Sequence, residues 1–159
     1  GSVIPFAGSS APTGFLLCDG SAVSRTTYAT LFSAISTTYG SGDGSSTFNL
    51  PDLRGRVVAG QDDMGGASAN RLTDQSGGLN GDTLGDTGGS ETHTLTTAQI
   101  PSHSHTVTAH ENPGGTGDSN GSEGGESSFD RTSTTSSTGG GGAHNNVQPT
   151  IILNYIIRT

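Results

Sequence analysis

Thr150-Ile151-Ile152-Leu153-Asn154-Tyr155-Ile156-Ile157-Arg158-Thr159 is the stretch on which the fold turns. It is β-branched and nearly uniformly apolar, the pattern of a strand buried on both faces. A last strand held in this way ties down the C-terminus, so the chain is expected to end inside the structure. Working outward, Val3-Ile4-Pro5-Phe6 reads as a short strand, and Pro5 assigns it to a sheet edge because proline has no N–H to donate. Phe15-Leu16-Leu17-Cys18 reads as a buried strand, ended by the hairpin signal Asp19-Gly20. Cys18 follows three apolar residues and is expected to be a core thiol rather than a nucleophile. Ser24 can cap a helix, and Tyr28, Leu31, Phe32 and Ile35 follow at i, i+3, i+4 and i+7. The spacing predicts a helix over 25–38 with one apolar face, closed by Tyr39-Gly40. Residues 42–47 are a polar turn cluster. Residues 48–60 read as an irregular segment with a short strand at 56–58, in which Asp52 with Arg54 or Arg56 is expected to form a structural ion pair ahead of the alternative, an active site. The fold class is mostly β with one short helix near the N-terminus.

Leu, Ile, Val and Phe together make up under a fifth of the 159 residues, and the net charge is −8. That places the chain at the border of the disordered class. The apolar residues crowd into 3–58 and 147–157. Between them the large ones are few: Met64, Leu72, Leu79, Leu84, Leu95, Ile100, Val107 and Phe129. Such a stretch cannot offset its own ordering entropy by burial within one chain. An intertwined oligomer with long Gly-rich loops, sharing one core among several thin chains, resolves the shortage. The chain has no lysine and a pI near 4.7, which argues against nucleic acid and against an anionic membrane surface. No apolar run is long enough to span a bilayer, and one cysteine makes no internal disulfide.

The chemistry-bearing motif is Pro101-Ser102-His103-Ser104-His105-Thr106-Val107. On an extended strand, residues 103 and 105 point the same way. Paired imidazoles suit a transition metal, and two are too few for a closed site in one chain; three copies around a threefold axis would supply six nitrogens. The bare motif also admits two idle surface histidines. His93 lies just before a short turn at 96–99 and reads as an accessory ligand or a hydrogen-bonding structural histidine. Gly77-Gly78-Leu79-Asn80-Gly81-Asp82 has a loose likeness to a calcium-binding repeat, but occurs once. Residues 108–142 are low in complexity, built from Gly, Ser, Thr, Asn, Asp and Glu, and are expected to be either disordered or functional.

The ordered series Pro12-Thr13-Gly14-Phe15-Leu16-Leu17-Cys18-Asp19-Gly20, Tyr28 to Leu31-Phe32, Tyr39-Gly40, and Phe48-Asn49-Leu50-Pro51-Asp52-Leu53-Arg54-Gly55-Arg56 resembles the phage tail collar domain. Thr92 to Leu95, Pro101 to His105, His144-Asn145-Asn146 and Leu153 to Ile157 resemble the C-terminal end of phage short tail fibre proteins. The resemblance implies a collar-like part at 3–60 and a distal, trimer-forming part at 61–159 with a variable insertion at about 108–142. It implies a homotrimer in the virion tail and one transition-metal ion per trimer, zinc or iron with nickel admitted, held by His103 and His105 of each chain. It further implies host adhesion by binding a bacterial surface glycan such as lipopolysaccharide. The residues of the insertion suited to a glycan are Asn112, Asp118, Asn120, Glu123, Asp130, the stacking ring of Phe129, and Arg131 for a phosphate or carboxylate.

Two other classes compete. A surface-polysaccharide depolymerase or metal hydrolase needs an open metal position or a pair of acids. Six histidine ligands leave no open position, and no hydrolase or phosphate-loop motif is present; Asp52, Asp62 and Asp63 leave a pair of acids open, but the expectation is that the protein is no enzyme. A purely structural trimerisation cap, with adhesion left to a partner protein, is the nearer alternative.

Overall fold

The computed structural model describes residues 1–74, 78–105 and 139–159. The chain divides into two compact units, one of residues 1–91 with 146–159 and one of residues 92–145. Among the described residues the fold is mostly β with one short α-helix.

In the first unit, β1 (Val3–Phe6), β7 (Asn154–Arg158) and β2 (Phe15–Leu17) form an antiparallel sheet in the order β1-β7-β2. The C-terminal strand is therefore central. Ile157 stands opposite both Val3 and Leu16. Ile156 and Ile157 are both buried, and successive residues face opposite sides of a sheet, so the expectation of burial on both faces holds at this point. It fails just upstream. Ile151 and Ile152 are 81% and 83% exposed and lie before the strand begins. Pro5 lies on edge strand β1, where its missing N–H costs no ladder bond.

The Asp19-Gly20 signal does not make a hairpin. β2 pairs with β7, whereas β3 (Ala22–Ser24) pairs with β4 (Thr47–Asn49) in a separate ribbon. The turn itself is real. Asp19 Oδ1 accepts from the Ser21 N–H at 3.0 Å, and Gly20 adopts φ +77, where a Cβ would meet Asp52 at 3.0 Å. It redirects the chain from one sheet to the next.

The helix is shorter than predicted: α1 spans Ala29–Ile35. Ser24 does cap, but it caps the preceding turn. Its Oγ accepts from Thr27 N–H and its carbonyl from Tyr28 N–H. Ile157, Leu31, Phe48, Leu50 and Cys18 make one buried cluster, with Phe32 and Tyr28 packed against it. The Phe32 and Phe48 rings lie 5.1 Å apart. Arg25 closes the edge of this core. Its guanidinium lies over Phe32 and donates to the carbonyls of Thr47 and Ser41.

Residues 56–58 form no strand; Val57 and Val58 are exposed. The Asp52–Arg54 pair is present as a two-bonded fork, with Nε on Oδ1 and Nη2 on Oδ2, both at 2.8 Å. The Arg54 hydrogen bonds hold the Asp52 carboxyl down to about 2. Asp43 is also held well below its usual range, by the Ser46 hydroxyl and then by the backbone N–H groups of Ser45, Thr47 and Ser46. Lowered carboxylates contribute stability that is complete above their unfolded value and disappears as pH falls through the folded one. Asp52→Asn is accordingly expected to melt below the parent at pH 7, with the gap closing between about pH 4 and pH 2. A gap unchanged at pH 2 in thermal melts would mean the fork adds nothing to folding.

Candidate metal centre

The second unit is built from little: β5 (Thr92–His93) pairs with β6 (His144–Asn145), and a 3-10 turn spans Thr97–Gln99. Thr96 and Gln99 begin that turn as a capping pair, with Gln99 Oε1 accepting from Thr96 N–H at 2.9 Å. Residues 101–105 then run exposed and outside any strand. The strand predicted for the histidine motif is absent over the described part, because nothing among the described residues pairs with it.

The two rings nonetheless stand together. His103 and His105 lie 5.2 Å apart, centroid to centroid, with their planes at 89°. An ion about 2.1 Å from one nitrogen of each ring keeps the centroids within about 6.5 Å, so this spacing admits a shared ion. His103 Nδ1 lies 3.1 Å from the Pro101 carbonyl oxygen. A carbonyl only accepts, so Nδ1 carries the proton and the lone pair of the neutral ring lies on Nε2. Metal-binding histidines are oriented in this way, by donation of the far N–H to a carbonyl or carboxylate. Among the described residues no group of three or more His, Cys, Asp or Glu side chains converges. A complete coordination shell at His103 and His105 would therefore need donors other than these.

His93 behaves as a hydrogen-bonding histidine. Its Nε2 lies 2.9 Å from Gln99 Oε1, the same oxygen that accepts from Thr96. The cross-strand pairing of His93 with His144 was not legible from the sequence, because a register linking residues so far apart leaves no local pattern. Asn112, Asp118, Asn120, Glu123, Phe129, Asp130 and Arg131 lie outside the described residues.

A cleft of about 290 Å³ runs between Leu53–Gly55 and Ile152–Tyr155, with Cys18 and Asp19 in its wall. Burial, and then the Asp19 charge, push the Cys18 thiol up to about 11, so it is protonated at neutral pH. Among the described residues no helix is long and apolar enough to cross a membrane.

Comparison with known families places residues 1–58 on the model of the Phage Tail Collar Domain. Residues 32–159 match the model of the Baseplate structural protein Gp10, C-terminal domain, a match that contains all four histidines just described. No curated protein matches the chain.

Proposed function

The chain belongs to the family of the Gp10 C-terminal domain and is a structural component of a phage tail, and from that premise we propose that it forms the tip of a tail fibre. In this reading it is a homotrimer. The His103/His105 pairs of three chains hold one transition-metal ion, zinc or iron with nickel admitted, and the tip binds a bacterial surface glycan such as lipopolysaccharide. The observation that carries the metal is the exposed imidazole pair, with the His103 lone pair on Nε2. Imidazole nitrogen suits zinc, iron and nickel alike, so availability would choose among them. The need for further donors favours copies of the chain around one ion. The exposed apolar run Ile151, Ile152 and Leu153 also favours association, since contiguous apolar surface marks an interaction site.

The protein acts by holding and binding, without catalysis. A protonated, buried Cys18 is no nucleophile, and a fully coordinated ion has no position for substrate. Native mass spectrometry tests the assembly. The expected particle is three times the 15.9 kDa chain with one metal ion on the His103/His105 pairs, released on acidification. A metal-free monomer would refute it.

The glycan assignment places contact in the variable insertion. Deleting residues 112–140 is expected to keep the trimer and abolish adsorption to host cells, read by sedimentation and by fluorescent-cell binding. A deletion variant that still adsorbs puts the receptor site elsewhere. The baseplate structural family favours a second reading, a trimerisation cap without adhesion. Failure of the intact trimer to bind any host glycan would select it.

A further inference from the structure

A second pair of histidines is assembled by folding alone. His93 and His144 are direct register partners across the β5–β6 ladder, and their ring centroids lie 6.0 Å apart with the planes inclined at 75°. Opposed residues on adjacent antiparallel strands project to one face of the sheet. Their protons are placed by neighbours. Gln99 Oε1 is identified as oxygen because the Thr96 backbone N–H points to it, so His93 Nε2 must be the donor to it. The lone pair of neutral His93 is then on Nδ1. His144 Nδ1 faces the Asn145 carbonyl at 3.4 Å, a long contact that places the proton on Nδ1 and the lone pair of the neutral ring on Nε2.

We propose that His93 and His144 form a second metal site, separate from His103 and His105, that takes one late first-row divalent ion per chain with copper(II) preferred. The spacing allows it: rings sharing an ion about 2.1 Å from each nitrogen have centroids within about 6.5 Å. Separateness follows from the absence of any convergent group of three ligating side chains among the described residues. The choice of metal follows from the donors. Among the described residues of this unit, 92–105 and 139–145, there is no Asp, Glu or Cys, so the metal-ligating side chains described there are imidazoles, which suit a late first-row ion better than calcium or magnesium. Nitrogen sites of this kind favour copper over nickel and zinc. His93 is half-buried and His144 exposed, which leaves an entry path and room for water to complete the shell. The site uses residues of one chain, so it stands whether or not the chain trimerises.

The test is titration of the full chain with Cu²⁺, followed by calorimetry and by electron paramagnetic resonance. Two classes of site are expected. His144→Ala should weaken one class by about 100-fold and spare the other. His103→Ala with His105→Ala should do the reverse. A His144→Ala isotherm that superimposes on the parent overturns the proposal. Nuclear magnetic resonance of the unsubstituted chain removes dependence on any variant's folding. Sub-stoichiometric Cu²⁺ should broaden the ring protons of His93 and His144 together, and sharp signals from both at saturating Cu²⁺ would equally overturn it.

Discussion

The chain carrying both His103→Ala and His105→Ala is expected to melt roughly 10 °C below the parent and to lose most of its trimer. An ion that binds only the folded assembly stabilises it by about 4 kcal/mol when present at a thousand times its dissociation constant. For a chain of this length each kcal/mol shifts the melting temperature by about 2–4 °C. The effect should be large here because the protein has few other resources: six buried apolar residues among those described. Thermal melts and sedimentation on the same samples read it. A strong chelator should reproduce the loss of trimer in the parent and leave the mass of the double variant unchanged. A double variant with the parent's melting temperature and mass would leave the pair as idle surface histidines, and the fibre-tip reading would then stand on family membership alone.

Phe48→Ala is expected to cost about 3–5 kcal/mol, enough to unfold the first unit or bring it close to unfolding. Phe48 is fully buried and touches the Phe32 ring, and its strand partner Val23 packs on the same cluster. Removing the ring leaves a cavity between α1 and the β3–β4 ribbon that a small core cannot close by relaxing. Leu84→Ala is the control. Leu84 is 56% exposed, and its loss should change stability by no more than about 0.5 kcal/mol. Urea unfolding midpoints compare the two. A Phe48→Ala midpoint within about 1 kcal/mol of the parent would mean that the cluster around Phe48 is not what holds this unit together.

Local features were legible wherever the physics is local. Pro5 named an edge strand because it lacks a donor. The apolar run 150–159 named a strand buried on both faces, which holds at Ile156 and Ile157 but not at Ile151 and Ile152. Tyr28, Leu31, Phe32 and Ile35 named a helix through their spacing, although its first turn was overcounted because Ser24 caps a non-helical turn. The neighbourhood of His103 and His105 survived the loss of the strand that suggested it, because one intervening residue keeps two rings within reach in any extended conformation. The Nε2 lone pair of His103 was not legible, since it depends on where the Pro101 carbonyl points.

Composition and periodicity by themselves determined that the protein is thinly packed, mostly β, poor in cationic surface and equipped with paired imidazoles. Tertiary structure decided which strands meet. Asp19-Gly20 marked a turn correctly, yet β2 turned away from its neighbour in sequence to pair with β7 at the far end of the chain. His144 came to lie opposite His93 by the same kind of long-range pairing. Turn and strand propensities act over a few residues, whereas a strand's partner is chosen by the area the whole sheet can bury. That area exists only once distant segments have come together.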